Sequence, residues 1–452
     1  MCSASLPRVP DASAEPEVVG LLRRLIAFDT TNRSPGDAEG ELDCARWLVG
    51  RLQEVGWEPL LIAPDDAPER ASVVLRVTGR DRTLPALLVH AHLDVVPAEP
   101  EQWSVPPFAG VVADGHVWGR GAADMKDMAA ATLAVLLDWG RSGRRPRRDV
   151  VVAFVADEET DGRFGARWLV EQHAGLFTGV EAAIGESGGM VEEWPHRDGH
   201  RVRLARVAAG ERGTLHVRLT ARGTSGHGSR PHEDNAVLAL VDALHRIGHH
   251  RWPIHLSPLV RAQLAGTAEA LGHPVDLDDD AGVERALELL GPAVDAARYT
   301  VRAATTPTVL QAGYKVNVIP GTASAEVDVR CPPGYLDQVV ARLPELVGDR
   351  VELEHTVFEP PVQAPLDGPW FAAMVEAVTA ETPGTVVVPG CLGGGTDAKA
   401  FSSLGIACYG FSPLTLDPAG RTPGGVHGVD ERVPVASLVG GTRVLTRFLE
   451  RV

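Results

Sequence analysis

The first half of the chain alternates between helical and strand patterns of apolar residues. Apolar side chains recur at helical spacing in residues 17–28, 41–55 and 125–139. Between these helices lie short apolar runs without polar alternation, as is typical of strands buried on both faces of a sheet. The pattern predicts an α/β fold in which helices cover both faces of a mixed, mostly parallel sheet. The apolar runs are residues 73–77, 86–89, 150–155 and 182–184.

The pattern changes near residue 210 and predicts a second unit of a different type. Apolar and polar residues now alternate, which favours antiparallel strands with one exposed face. Residues 251–306 have the least regular pattern and predict mostly helical surface. The predicted strands are 215–219, 323–329 and 351–357, and the predicted helices are 236–247 and 336–346.

The α/β pattern returns after residue 370, so the second unit interrupts the first. We therefore predict a catalytic domain of residues 1–211 and 359–452 and an inserted α+β lid or dimerisation domain of residues 212–358, with an antiparallel sheet. The returning elements are strands 386–388 and 406–411 and helices 397–404 and 435–449.

Composition narrows the class of protein further. The 452 residues are 44% hydrophobic and 23% charged, with a net charge of −17, which argues against a protein that coats nucleic acid. No apolar stretch reaches the roughly 18 residues of a membrane span, and the first ten residues contain no secretory pattern. Five scattered cysteines, including Cys2, form no C-x-x-C. We expect a cytoplasmic protein without membrane or nucleic-acid partners.

Acidic residues and histidines follow the predicted strands, where open α/β sheets place their ligands. Two histidines and several carboxylates suit zinc or a similar divalent ion, and one shared carboxylate can hold two ions roughly 3.5–4 Å apart. Cobalt or manganese would suit the same ligands. The candidates are His92, Asp94, Asp124, Glu158, Glu159, Glu186 and His427.

Two local spacings suggest roles within this set. In an extended segment residues i and i+2 face the same way, so Asp94 can fix the tautomer of His92. The adjacent residues Glu158 and Glu159 cannot both point the same way from a strand end. One is expected to bind metal, while the other acts as a base on a bridging water.

The order of these segments resembles one family. It is similar to the dinuclear zinc peptidases that include aminoacylase, carboxypeptidase G, succinyl-diaminopimelate desuccinylase and carnosine dipeptidase. The resemblance implies that His92 and Glu186 hold one zinc ion, that Glu159 and His427 hold the other, and that Asp124 bridges them before an unusual cis peptide to Met125. The segments that carry the resemblance are 92–97, 103–108, 119–126, 157–159, 226–227, 394–398 and 427–428.

The resemblance also implies roles for the base and for the inserted domain. Glu158 would be the general base, Asp94 would orient His92, and His227 would polarise the scissile carbonyl in a neighbouring active site. Arg330 and Asn317 would hold the substrate's carboxylate and nearby polar groups, helped by the loop of Gly394, Gly395 and Thr396.

These implications lead to a hypothesis for function. The chain would be a metal-dependent hydrolase that cleaves an amide bond of a small N-acyl-amino acid or short peptide with a free carboxylate. It would be an aminoacylase-type deacylase, a dipeptidase or a carboxypeptidase, with two divalent ions, and a homodimer through the lid domain.

Two other readings stay open at this point. Residues 185–189 fit the G-x-S-x-G pattern of serine hydrolases, with Ser187 as nucleophile and Asp397 and His427 downstream in the expected order. That pattern requires a helix directly after the serine, and residues 192–199 do not favour one. The second alternative is a non-catalytic peptide or amino-acid binder on the same fold.

Overall fold

A computed structural model describes residues 15–34 and 36–452. The chain divides into two compact units. The first contains the described residues up to Glu192, together with Ala372–Gly384 and Phe411–Val452. The second contains Glu193–Phe371 and Thr385–Gly410. Its boundary with the first unit therefore comes earlier than the predicted one at residue 211, and the strands near residues 385–410 fall in the second unit.

The described residues form twelve α-helices and twenty-two strands. The helices are α1 (Glu17–Ile26), α2 (Leu42–Gln53), α3 (Lys126–Ser142), α4 (Ala166–His173), α5 (Ala236–His249), α6 (Pro258–Ala270), α7 (Asp280–Leu290), α8 (Asp295–Thr300), α9 (Leu336–Val347), α10 (Pro369–Glu381), α11 (Ala398–Ser402) and α12 (Val435–Arg451). The strands are β1 (Asn32–Ser34), β2 (Asp37–Ala38), β3 (Leu60–Ile62), β4 (Ser72–Val77), β5 (Ala86–His92), β6 (Val111–Ala113), β7 (His116–Trp118), β8 (Val150–Val155), β9 (Val180–Gly185), β10 (Val191–Pro195), β11 (Arg201–Glu211), β12 (Gly213–Thr214), β13 (Val217–Arg222), β14 (Gly226–His227), β15 (Ala304–Ala312), β16 (Val318–Ile319), β17 (Thr322–Cys331), β18 (Val351–His355), β19 (Val362–Gln363), β20 (Thr385–Leu392), β21 (Ala407–Gly410) and β22 (Arg432–Pro434).

The first unit is built on the strand order β9-β5-β8-β4-β3. Strands β9, β5 and β8 are parallel, and β4 and β3 are antiparallel to their neighbours. Every residue of β5 and β8 is buried, which accounts for their uninterrupted apolar sequence. Helices α1, α2 and α12 pack on α3, whose buried face includes Leu133, Leu137 and Trp139. The mixed, mainly parallel sheet and its helices confirm the predicted fold class.

The second unit contains the predicted antiparallel sheet. Its order is β15-β17-β13-β18, with β12 also paired to β17. Residues of β17 alternate between buried and partly exposed, as the sequence predicts for a strand with one face on a core. Helices α5 and α9 cover that buried face around Leu240, Leu343 and Trp252. A further strand pair, β11 with β20, is parallel.

Residues 251–306 differ from the prediction of helical surface. They do form three helices, α6, α7 and α8, but α6 buries Leu259, Val260 and Leu264 and packs on β20. Four cysteines of the described residues are buried free thiols, and Cys2 lies outside those residues. No helix in the described part of the chain is long and apolar enough to cross a membrane.

Candidate metal centre

The parallel strands of the first unit bring three candidate ligands to one edge of the sheet. His92 is the last residue of β5 and pairs in register with Val155, the last residue of β8. Glu159 follows β8 by four residues, and Glu186 directly follows β9. Because β9, β5 and β8 run in the same direction, their carboxyl ends meet at this edge, as the sequence analysis expected.

Two loops supply the other ligands. Asp124 lies just before α3, and its peptide bond to Met125 is cis, as the resemblance implied. His427 lies in the loop before β22 and has a positive φ of 54°. Gly425, two residues earlier, has φ 79°, and a β-carbon there would lie 2.6 Å from the backbone of Glu431. A side chain larger than hydrogen would therefore not fit this turn.

The ligand atoms form two groups that share Asp124. One carboxylate oxygen of Asp124 lies 3.2 Å from Nε2 of His92, and Glu186 is 3.3 Å from the same nitrogen. The other oxygen of Asp124 lies 3.1 Å from Nε2 of His427, and Glu159 is 3.2 Å from that nitrogen. Each group offers one nitrogen and two oxygen atoms that converge on one point. The pairing of ligands matches the one that the resemblance implied.

The electrostatics of the two groups reflect concentrated negative charge. Burial would lower the pKa of His92, but hydrogen bonds to Asp124 and Glu186 raise it well above its ordinary value. Hydrogen bonds to Asp124 and Glu159 raise the pKa of His427 to about 10. Burial raises the pKa of Glu186. In the metal-free chain, protons on the imidazoles therefore balance the carboxylates.

The donor set fits two divalent ions. Imidazole nitrogen and carboxylate oxygen are the ligands that zinc and similar ions take in proteins. Among the residues that the structure describes, the buried Oε1 of Glu159 has no hydrogen-bond partner, although such atoms are normally paired. An ion between Glu159, Asp124 and His427 would supply the missing partner.

Asp94 lies beside His92, but its carboxylate mainly contacts the glutamate pair. Nδ1 of His92 is 3.0 Å from the main-chain oxygen of Asp94 and 3.6 Å from its carboxylate. The backbone N–H groups of Glu158 and Glu159 donate to that carboxylate at 3.1 and 3.0 Å. Asp94 thus holds His92 through its carbonyl and the Glu158–Glu159 turn through its side chain.

A buried network behind this turn was not predicted. Asn32 donates to Asp94 at 2.9 Å and to Asp157 at 3.1 Å. Arg70 donates to Asp157 at 3.0 Å and forms two 2.9 Å hydrogen bonds with Glu41. Burial and, after it, the charge of Asp94 raise the pKa of Glu41 to about 8. The network fixes Asp157, whose positive φ of 67° sets the direction of the two glutamates that follow it.

His227 and Asn317 lie together in the second unit. His227 is on β14, which pairs with β16, and the N–H of Gly228 donates to the main-chain oxygen of Asn317 at 2.9 Å. The backbone N–H of Ser229 donates to Nδ1 of His227 at 3.2 Å. Because Nδ1 accepts, a neutral His227 ring carries its proton on Nε2, which is exposed.

The remaining substrate candidates also lie in the second unit. Arg330, on β17, donates to Asp328 at 2.7 Å and to Thr214 at 2.8 Å. The backbone N–H of Thr396 donates to Glu211 at 3.1 Å, and its hydroxyl bonds the same carboxylate. Gly394 has open space beside it, whereas a β-carbon at Gly395 would lie 2.4 Å from Nζ of Lys399.

The structure gives no support to Ser187 as the nucleophile of an elbow. A strand, β10, follows at Val191, where the elbow requires a helix. The neighbouring Glu186 turns its carboxylate toward His92. The local geometry around residue 187 is that of a metal-ligand turn.

Comparisons with known proteins agree with this geometry. The family description "Peptidase family M20/M25/M40" matches residues 88–451. N-fatty-acyl-amino acid synthase/hydrolase PM20D1 of Xenopus tropicalis is 31% identical over 385 residues, which is 80% of this chain and 71% of that protein. Aminoacylase-1B of Rattus norvegicus is 27% identical over 392 residues, covering 85% and 84% of the two chains.

A solved structure shares the fold. The M20 family metallo-carboxypeptidase Sso-CP2 from Sulfolobus solfataricus aligns with a TM-score of 0.69 and 16% identity, covering 96% of this chain and 99% of that one. At this identity the likeness concerns the fold alone. The family match spans most of the chain, and one relative exceeds 30% identity. The chain therefore belongs to peptidase family M20/M25/M40, and it is a hydrolase of the type that acts on C–N bonds in peptides or N-acyl amino acids.

Proposed function

We propose that the chain is a dinuclear metal-dependent amidohydrolase that releases an amino acid with a free carboxylate from an N-acyl or peptidyl substrate. One observation carries this proposal. Asp124 directs one oxygen toward His92 and the other toward His427, and each histidine also meets its own glutamate. A shared carboxylate between two sets of ligands is the arrangement of two-metal hydrolases.

In the proposed reaction, Glu158 is the general base. Bound divalent ions would act as Lewis acids and lower the pKa of a nearby water toward 7. Glu158 would take the proton of that water and deliver it to the leaving nitrogen. Asp94 holds the main chain of Glu158 and Glu159 by two hydrogen bonds, so the base and the ligand beside it keep separate directions.

Residues of the second unit are proposed to bind substrate. His227 offers an exposed Nε2–H, which suits stabilisation of the oxyanion. Arg330 is proposed to bind the substrate carboxylate, because a guanidinium binds carboxylates with two hydrogen bonds. Asn317 and the loop of Gly394, Gly395 and Thr396 would contact its other polar groups.

We propose N-fatty-acyl or shorter N-acyl amino acids as the substrate class. The proteins named N-fatty-acyl-amino acid synthase/hydrolase PM20D1 and aminoacylase-1B support this choice. Zinc is the proposed metal, and the cytoplasmic location stays a prediction.

Replacing Glu158 by Gln should separate catalysis from metal binding. Gln keeps the size of the side chain but cannot accept the proton, so kcat on N-acyl amino acids should fall by roughly 10²–10⁴-fold. Metal analysis should still find two ions per chain. Glu171→Gln, on α4, is the control and should retain full activity. Near-normal turnover by Glu158→Gln would contradict the assignment, and binding without turnover by the wild type would favour a non-catalytic binder.

Loading the metal-free protein should release protons. His92 and His427 have raised pKa values in the absence of metal, so at neutral pH both carry protons that must leave before their nitrogens bind metal. Zinc affinity should therefore increase as pH rises toward about 10, and about two protons should be released per chain near pH 7. Calorimetry in buffers of different ionisation enthalpy measures this number. His427→Ala should release about one proton fewer, and release near zero by the wild type would refute the proposed ligands.

We further propose that the second unit forms a homodimer through β15 and α5. Strand β15 is an edge of its sheet, paired in the described chain with β17 alone. It exposes Leu310 by 60% and Val309 by 43%, and α5 exposes Leu238 by 57%. An exposed apolar sheet edge is a surface for pairing with another chain.

Leu310→Lys should weaken this dimer. A charge on the edge strand would be buried without a partner at the interface, so light scattering after gel filtration should show a shift toward monomer. Val112→Lys is the matched control, because Val112 is 44% exposed on β6 in the first unit. Equal masses for both variants and the wild type would argue against this interface.

A further inference from the structure

The tip of the β10–β11 hairpin gathers two histidines and an aspartate. Nδ1 of His196 lies 2.8 Å and Nδ1 of His200 lies 2.5 Å from the same oxygen of Asp198. The two imidazole rings stack with centroids 4.3 Å apart. The three donor atoms therefore converge on one point at the surface of the second unit.

The hairpin tip is held in place by its own hydrogen bonds and by the end of α6. The N–H of His196 donates to the oxygen of His200 at 2.8 Å, and the N–H of Arg197 donates to Leu271 at 3.0 Å. Arg197 also donates through its guanidinium to Gly272 at 3.1 Å. The donors are thus arranged before any ligand binds, which reduces the entropy lost on binding.

Gly272 determines which nitrogen of His196 is available. A β-carbon at position 272 would lie 2.2 Å from Nε2 of His196, so the ring packs directly against this glycine. Its φ of +73° also favours glycine. With Nε2 covered, the ring presents Nδ1, which is the nitrogen that faces Asp198.

We propose that His196, Asp198 and His200 form a third divalent-metal site that takes zinc, separate from the two central ions. Imidazole and carboxylate suit this ion, and a water molecule would complete a tetrahedral shell. The donors now lie closer than the roughly 3.3 Å expected between two ligands of one zinc ion with bonds of about 2.0 Å. The side chains of Asp198 and His200 are 61% and 58% exposed, so they are free to turn outward.

The charge of the tip also suits a cation. Hydrogen bonds from His196 and His200 lower the pKa of Asp198 to about 2, so its carboxylate is ionised at neutral pH. An ion would replace the protons that the two rings now share with this carboxylate.

The test counts zinc ions on the zinc-loaded protein. Equilibrium dialysis followed by metal analysis should give three ions per chain for the wild type and two for the double variant His196→Gln, His200→Gln. Gly272→Ala should also weaken the third site, although it removes no ligand. His173→Gln, a partly exposed histidine on α4, is the matched control and should keep three.

A second exposed histidine pair provides a competing assignment. His245 and His249 stack on α5 with ring centroids 4.2 Å apart, without a converging carboxylate. Loss of the third ion in the variant His245→Gln, His249→Gln would overturn the proposal. Equal zinc content in the wild type and the His196→Gln, His200→Gln variant would overturn it as well.

An independent observation concerns Glu431, which is buried beside the loop of Asp124. Its carboxylate accepts hydrogen bonds from the backbone N–H groups of Gly121 at 2.9 Å, Ala123 at 2.8 Å and Asp124 at 3.0 Å. Arg120 donates to it at 2.7 Å. One side chain therefore fixes the backbone that carries the bridging ligand.

The same pair also holds the loop of His427. Arg120 donates to the main-chain oxygen of Gly428 at 2.7 Å, and the main-chain oxygen of Glu431 accepts from Gly119 at 2.9 Å. The loop of Asp124 and the loop of His427 are thus joined through one buried ion pair.

We infer that Glu431 is a positioning residue for the metal centre, an inference that rests on the proposed function. In Glu431→Gln one acceptor oxygen becomes an amide donor that faces backbone N–H groups, so the two loops should separate. The variant should lose metal in dialysis and lose turnover at low zinc, and excess zinc should restore much of the turnover. A residue with a merely structural role would give no rescue by zinc.

Two controls keep this test decisive. Glu450→Gln, on exposed α12, should behave as the wild type. Arg120→Lys removes the link to Gly428 and serves if Glu431→Gln fails to fold. Full metal retention by either folded variant would overturn the inference. Metal retention is measured without substrate, so a wild type that is inactive on every N-acyl amino acid would count against the proposed function alone.

Discussion

The first unit has to hold several carboxylates close together where its parallel strands end. Like charges at this spacing repel, and burial makes each ionised group more costly. The chain meets this cost in two ways. Backbone N–H groups and Asn32 donate to Asp94, and Arg70 lies between Glu41 and Asp157. At the open edge, cations are needed instead, and in the metal-free chain protonated imidazoles fill that role.

This constraint explains why the site is assembled from separate parts of the chain. Strand ends supply His92, Glu159 and Glu186 on a rigid, fully buried support. Loops supply Asp124 and His427, and these loops need their own support because no strand fixes them. Rigid strands and braced loops together bring ligand atoms to within about one hydrogen-bond length of each other.

Much of this could be predicted from the sequence, because buried parallel strands leave an uninterrupted apolar run. The run of β8 was predicted at its observed bounds, residues 150–155. Strand β11 was missed because three arginines, at 201, 203 and 206, interrupt its apolar residues. Strand β15 was missed because most of it is exposed, so it has no core-facing pattern.

The supporting residues could not be predicted for a different reason. Asn32 and Arg70 contact partners that lie 125 and 87 positions away in the chain, in segments with no recognisable pattern. Their role depends on how strands stack in three dimensions, which local spacing does not encode. Glu431 was closer to recognition, since it follows His427 by four residues, but nothing in that spacing indicates that its carboxylate faces the loop of Asp124.

The two groups of ligands differ in their access to solvent. The side chain of His92 is 1% exposed and that of its partner Glu186 is 12% exposed, whereas His427 is 56% exposed. An ion held by His427 would exchange with the surroundings far faster than one held by His92. Brief chelation would therefore give a protein with a single, inner ion, and the cell's supply of free metal would set the occupancy of the outer position.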